Sequence, residues 1–324
     1  MKAALCRQFG GPEVIEIDDL PDPEPGAGEV VVDVGAVSLN FFDTLIIRNK
    51  YQYKPEFPFS PGAEIAGTVS ALGEGVSGVE PGQRVMAYIG WNGAREKAVV
   101  PAAALAPIPD SVSDAVASGL SVTYGTAMHG LADRGRLAPG ETVAVLGASG
   151  GAGLAAVQVA KRMGARVIAA ASSPEKLEIA RANGADEIID YAKEDLKEAI
   201  KALSGGAGAD IIYDCVGGPY SEPALRATAW GGRFLVVGFA AGDIPKVPLN
   251  LILLKGCDMV GVFWGSFTER YPDRNAANIA QVMDWCAKGE LAPHIHGEFS
   301  LAETRAALEV IDRREAKGKV VVCP

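Results

Sequence analysis

The feature that most constrains this chain is an apolar strand running straight into a string of small residues and then into helical spacing. Thr142-Val143-Ala144-Val145-Leu146 reads as a buried strand, and Ala148-Ser149-Gly150-Gly151-Ala152-Gly153 follows it. Residues 154–163 place Leu154, Val157, Ala160 and Lys161 near one another along a helix, Gly164 stops it, and Arg166-Val167-Ile168-Ala169-Ala170 is the next strand. Strand, tight turn, helix and strand in that order leave two strands parallel, joined by a right-handed crossover. The unit repeats with a helix over 174–183, a stop at Gly184 and a strand at Glu187-Ile188-Ile189. Further strands are Ile211-Ile212-Tyr213-Asp214 and Arg233-Phe234-Leu235-Val236-Val237. This predicts an α/β domain over residues 113–254, a doubly wound parallel sheet with helices on both faces.

The turn itself carries chemistry. Small side chains at Ser149, Gly150, Gly151, Ala152 and Gly153 let a pyrophosphate approach the backbone, and the free N–H groups of a helix start stabilise its charge. The spacing Ala148-x-Gly150-x-x-Gly153 has alanine where the common fingerprint has its first glycine. The end of the next strand sets which dinucleotide fits. An acid there would bond the ribose 2′-hydroxyl of NAD. Here Ala170-Ala171-Ser172-Ser173-Pro174-Glu175-Lys176 offers two hydroxyls and an ammonium, with Glu175 the one nearby acid. Ser172, Ser173 and Lys176 therefore point to NADPH. Ser173 before Pro174 also suits a helix N-cap, and the two roles are compatible.

The flanks read differently. Residues 1–112 are rich in Gly, Pro and β-branched runs such as Glu29-Val30-Val31-Val32-Asp33-Val34, separated by turn signals such as Glu80-Pro81-Gly82. Residues 255–324 return to β-like runs plus a helix over 275–288, and Val320-Val321-Val322 closes the chain as a strand. The expectation is one β-rich domain, 1–112 and 255–324, interrupted by the parallel-sheet domain. Lys and Arg number 30 against 40 Asp and Glu, a formal charge of −10. That sign argues against nucleic acid or an anionic membrane as partner. No run is apolar and long enough to span a bilayer, and no signal peptide is expected from the opening residues. The five scattered cysteines read as reduced thiols, which suits a cytoplasmic protein.

Pro61-Gly62-Ala63-Glu64-Ile65-Ala66-Gly67 continues to Gly73 and Val76 in a pattern that resembles the zinc alcohol dehydrogenase signature, with Ala63 where a zinc-binding histidine would stand. Alanine ligates nothing, so no metal is expected. Together with Asn40-Phe41-Phe42-Asp43, Thr123-Tyr124-Gly125, Gly150-Gly151-Ala152-Gly153 and Asp214-Cys215-Val216-Gly217-Gly218, the chain resembles the zinc-independent medium-chain dehydrogenase/reductases of the quinone oxidoreductase, or zeta-crystallin-like, family. The resemblance runs through nearly the whole chain. It implies a GroES-like β-rich catalytic domain with an inserted Rossmann domain, and a homodimer. It implies that Tyr191 stacks on adenine, and that Thr123, Val216, Gly238, Phe239, Phe263 and Gly265 line the ribose and nicotinamide. It implies that Asn40 lies near the nicotinamide ribose and Lys319 near the cofactor. Two departures bear on substrate preference: Phe41 replaces a usual proline, and Asn92-Gly93-Ala94-Arg95-Glu96 lacks a usual aromatic.

Without zinc, the expected reaction is direct hydride transfer to a quinone or an α,β-unsaturated carbonyl. Reduction of an enone also needs a proton. Tyr51, 11 residues after Asn40, is the candidate donor, with an aromatic wall that transfers no proton as the other reading. Tyr53 is a neighbouring alternative. Among Phe41, Phe42, Phe59, Trp91, Phe263 and Trp264, the cleft is expected to use Trp264, with Tyr51. Alternatives on the same scaffold are an enoyl-thioester reductase acting on acyl-CoA and a low-turnover NADPH-binding regulatory or structural protein.

Overall fold

The computed structural model describes residues 1–324, which divide into two compact units: Met1–Val122 with Ile279–Pro324, and Thr123–Asn278. In the first unit the β-branched runs build a seven-stranded sheet. Its order is Ile295–Ser300, Lys319–Cys323, Glu29–Leu39, Glu64–Leu72, Arg84–Tyr88 and Leu105–Pro107, with Lys97–Pro101 also paired to Glu29–Leu39. The last strand of the chain thus lies antiparallel beside Glu29–Leu39, and Val322, Val321 and Val320 face Val37, Ser38 and Leu39. Val30, Val32, Val37, Ile65, Val85, Val320 and Val322 are almost wholly buried in one core. Alternation along a half-buried sheet predicts that placement. A separate hairpin pairs Lys2–Cys6 with Ile15–Asp19.

The second unit is a six-stranded sheet in which every pairing is parallel. Its order is Glu187–Asp190, Arg166–Ala171, Thr142–Leu146, Ala209–Asp214, Thr228–Val236 and Asp258–Gly261. Chain order reverses between Thr142–Leu146 and Ala209–Asp214, which is the switch point where open parallel sheets leave a crevice for ligands. The glycine turn lies there.

The observed division differs from the sequence expectation at both ends. Asp258–Gly261 pairs with Arg233 to Val236 and extends the parallel sheet, so residues 255–278 join the dinucleotide-type unit rather than the β-rich one. Residues 113–122 join the β-rich unit, where the Val122 N–H donates to Glu64 at 2.8 Å and Gly119 abuts the stem of Lys319. The helix expected over 154–163 starts earlier, as Gly151–Arg162, so Gly151 and Gly153 sit in its first turn. No helix is long and apolar enough to cross a membrane.

Candidate active site

In the parallel sheet, register gathers the sequence-predicted residues along one edge. Asp190 lies beside Ala171, Ala170 beside Leu146, Leu146 beside Asp214, Asp214 beside Val236, and Val236 beside Gly261. The segments leaving these strand ends carry Ser149 to Gly153, Ser172 and Ser173, Tyr191, Val216, Gly238 and Phe239, and then Phe263 and Gly265. Thr123 stands apart from that edge in sequence, buried on the helix Ser121–Met128.

The glycine turn fits a phosphate group by what it leaves unfilled. Gly150 is the N-cap of Gly151–Arg162 and supplies no side-chain cap. By contrast Ser173 caps Pro174–Ala182 by accepting the Lys176 N–H at 3.4 Å, and Asp195 accepts the Glu198 N–H at 3.0 Å. The Gly151, Ala152 and Gly153 N–H groups therefore stand at an uncapped helix start, where an anion is the natural acceptor. A Cβ on Gly150 would have only the Gly147 carbonyl oxygen near it, at 3.6 Å, so the surface above it is open. A Cβ on Gly153 would meet that same oxygen at 2.1 Å, so Gly153 serves helix-to-strand packing. Ser172 is exposed, Ser173 and Lys176 are half-buried, and the strand Arg166–Ala171 ends without an acid.

Two residues outside the sequence-predicted set shape the neighbouring loop. Asp214 is 3% exposed and accepts the N–H groups of Val216 and Gly217 at 2.8 and 2.9 Å and the Ser221 hydroxyl at 2.6 Å. It fixes the turn through Gly217, at φ +70°, that presents Val216. Its signal was the first position of Asp214-Cys215-Val216-Gly217-Gly218. Tyr220 packs on Tyr191 with ring centroids 4.4 Å apart, so the ring expected beside adenine already has an aromatic neighbour. Phe239 and Phe263 are exposed at 36% and 48%, and apolar side chains left open together commonly meet a ligand or partner. Trp264 corrects an expectation. It is buried, and its indole N–H donates to Asn275 at 3.0 Å, so it is a packing residue and not a cleft wall. Phe59 is likewise core.

In the β-rich unit the structure joins Asn40 and Lys319, which are 279 residues apart, and adds two carboxylates. The Lys319 ammonium donates to Asn40 Oδ1 and to Glu64 Oε1, each at 2.7 Å, and Asn40 Nδ2 donates to Glu64 Oε1 at 2.9 Å. The amide orientation follows from chemistry, since an ammonium only donates and a carboxylate only accepts. Asp43 accepts the N–H of Asn40 at 2.7 Å and that of Gly62 at 2.9 Å. Burial pushes its carboxyl up to about 7 and Glu64 adds to the rise, while the two N–H donors and the Lys319 ammonium oppose it. Ala63, at the position of the missing histidine, is fully buried, and no three His, Cys, Asp or Glu side chains are grouped to hold a metal ion.

Beside this cluster runs an aromatic row. Tyr51 stacks on Phe42 at 5.4 Å, meets Tyr53 edge-on at 5.5 Å, and Tyr53 tilts against Trp91 at 6.3 Å. Burial, then Tyr53 and Asp43, push the Tyr51 phenol up to about 12. It therefore holds its proton throughout the physiological range.

Comparison with known proteins places the chain among its relatives. Residues 26–110 match the alcohol dehydrogenase GroES-like domain, and residues 151–281 match the model described as zinc-binding dehydrogenase. The chain is 39% identical over 324 residues to the quinone oxidoreductase-like protein 2 homolog of Nematostella vectensis, covering 99% of this chain and 88% of that protein. Among solved structures, the quinone oxidoreductase of Thermus thermophilus, solved also in complex with NADPH, is 35% identical with a TM-score of 0.87 over 100% of both chains. A probable oxidoreductase from Mycobacterium abscessus is 36% identical with a TM-score of 0.91, over 100% of this chain and 99% of that one.

Proposed function

Because this chain belongs to the quinone oxidoreductase family of the medium-chain dehydrogenase/reductases, we propose that it reduces a quinone or an α,β-unsaturated carbonyl with NADPH. The observation that carries this reading is the uncapped helix start at the sheet's switch point, followed by a strand end with hydroxyls and an ammonium in place of an acid. Gly150, Gly151, Ala152 and Gly153 would hold the pyrophosphate, Ser172, Ser173 and Lys176 the 2′-phosphate, and Tyr191 the adenine. Thr123, Val216, Gly238, Phe239, Phe263 and Gly265 would line the ribose and nicotinamide. When bound, the cofactor supplies a hydride. The chain supplies position, exclusion of water and a proton. Lys319 and Glu64 fix the Asn40 amide, leaving one Nδ2–H outside their hydrogen bonds, and in this reading that N–H would serve the cofactor's ribose.

The test is NADPH oxidation with 1,4-benzoquinone, 9,10-phenanthrenequinone, an alkenal and crotonyl-CoA. Turnover with the first three supports the reading; turnover with crotonyl-CoA alone moves it to an enoyl-thioester reductase, and no oxidation with any acceptor sinks both. Lys176→Ala is expected to weaken NADPH binding about tenfold and to leave NADH binding nearly unchanged, since one charge-assisted contact is lost. Equal losses for both cofactors would remove Lys176 from the 2′-phosphate.

Tyr51 is the proton donor in this reading. A phenol kept protonated can still give its proton to an enolate formed beside it. Tyr51→Phe is expected to lower kcat for an enone by about 10²-fold, the low end for a lost general acid. The quinone rate should fall less, because a reduced quinone also takes protons from water. An unchanged enone rate would leave Tyr51 as an aromatic wall.

A homodimer would have a surface to match. Trp230, Ile244, Leu249, Leu253 and Leu254 are all at least 66% exposed, and the strand Asp258–Gly261 has no partner on its outer side. An open strand edge in a unit that also exposes large apolar side chains suits a two-fold contact with a second copy. Light scattering should give twice the chain mass, and Leu253→Glu should shift it towards the monomer. A monomeric wild type at micromolar concentration would dismiss this surface as an interface.

A further inference from the structure

The loop Asn92-Gly93-Ala94-Arg95, which departs from the family pattern, holds a cation without a counter-ion. Its backbone is tied to residues 60–62: Asn92 N–H donates to the Ser60 carbonyl at 2.8 Å, Gly93 to Gly62 at 2.8 Å and Ala94 to Pro61 at 2.9 Å. Asn92 sits at φ +72°, a strained conformation for a residue with a side chain. Its Oδ1 accepts the Ser60 N–H at 2.9 Å and an Arg95 Nη2–H. Arg95 Nε donates to the hydroxyl of the fully buried Ser60 at 2.9 Å. These two oxygens are neutral, and together they occupy the Nε/Nη2 edge of the guanidinium. The adjacent Glu96 is turned away, accepting the Lys2 N–H at 2.6 Å. Arg95 is half-buried, and desolvation is the one influence on its ionisation, with no acid opposing it.

Buried charges are ordinarily paired, because an uncompensated one is strongly destabilising. A guanidinium has five N–H donors in a planar fork. Two are used here, and the Nη1/Nη2 edge keeps two parallel N–H groups, the pattern that grips a carboxylate through both oxygens. Trp91 precedes the loop and belongs to the aromatic row of Tyr53, Tyr51 and Phe42. We propose that Arg95 is a substrate-specificity residue, its Nη1/Nη2 edge binding the carboxylate of an acceptor whose flat body lies along this aromatic row. The assignment rests on the reductase reading above and narrows its substrate to an anionic enone or quinone.

Two measurements decide it. Calorimetric titration with benzoate, benzamide and phenyl phosphate, without cofactor, reads the subsite apart from turnover. Benzoate is expected to bind at least about tenfold more tightly than benzamide, and Arg95→Met to erase that preference. Equal binding of benzoate and benzamide to the wild type overturns the proposal, and so does tenfold tighter phenyl phosphate, which would make this a phosphate site. In turnover, the kcat/KM ratio of trans-4-oxo-2-butenoate to crotonaldehyde should fall at least about tenfold in Arg95→Met; an unchanged ratio overturns the proposal. Arg95→Lys keeps the charge but not the fork, and should lie between wild type and Arg95→Met. It carries the comparison if Arg95→Met does not fold. A wild type that binds benzoate yet oxidises NADPH with no acceptor defeats the reductase reading and leaves the subsite standing.

Discussion

Gly153→Ala should lower the stability of the dinucleotide-type unit by about 3 kcal/mol and abolish measurable NADPH binding, whereas Gly150→Ala should spare stability and weaken binding alone. The two glycines lie in one turn but meet different surroundings. A methyl group on Gly153 collides with the Gly147 carbonyl oxygen at 2.1 Å, the Gly147 carbonyl carbon at 2.7 Å and the Ala148 Cα at 2.9 Å. All three are backbone atoms, so relief requires the helix Gly151–Arg162 to move off the strand Thr142–Leu146. Overpacking a tight core costs about 1–3 kcal/mol and occasionally more. The sheet centre is the least forgiving place for it. A methyl on Gly150 meets no atom closer than 3.6 Å, and its φ of −77° suits any residue. The cost there is a lost N-cap preference, about 1 kcal/mol or less. The methyl would instead fill the space above the helix start. Urea unfolding and NADPH titration on both variants separate the two effects. If Gly150→Ala binds NADPH as well as the wild type, the pyrophosphate does not lie against this turn.

That contrast also marks what sequence could and could not supply. The strand, glycine turn and helix are local, so their periods and stop signals were readable: Ser173 caps its helix as expected, and Gly164 ends the previous one at φ +85°. The missing ligand at Ala63 is a property of one position and needs no fold to interpret. The strand Asp258–Gly261 escaped because it is short, mostly exposed and recognisable only by its partner Thr228–Val236. Trp264 looked like a cleft aromatic because nothing in sequence announces its bond to Asn275. The cluster of Asn40, Asp43, Glu64 and Lys319 depended on strand pairing between chain ends. Glu64 and Asp43 were visible inside motifs, yet the ammonium that Glu64 accepts reaches it only when Lys319–Cys323 lies beside Glu29–Leu39. Arg95 was legible as a departure from pattern, and its lack of a carboxylate partner was not.

The charge of that cluster leads to the second large effect. Lys319 is 3% exposed, and Glu64 and Asp43 are each 1% exposed, so one ammonium answers two dry carboxylates. Lys319→Met should therefore destabilise the β-rich unit by about 3–5 kcal/mol at pH 7, the usual result of stripping the partner from a buried charge. The same change near pH 5 should cost less, and Asp43 gives the sign. Its folded-state pKa lies at about 7, above the ordinary aspartate value of 3.8. The fold thus binds that proton more tightly than the unfolded chain does. The stabilisation is fully present below about pH 4 and is lost as pH rises through about 7, each tenfold difference in proton affinity being worth about 1.4 kcal/mol. Removing the ammonium raises the cost of ionising Asp43 further and extends that loss to higher pH. Asp43→Asn in the Lys319→Met background should flatten it, because the surplus negative charge is gone while one N–H acceptor remains. Urea midpoints at pH 5 and pH 7 for wild type, Lys319→Met and the double variant read all of this. A destabilisation by Lys319→Met that is equal at both pH values would mean that the lysine stem, packed against Gly119, contributes the stability and that its charge does not.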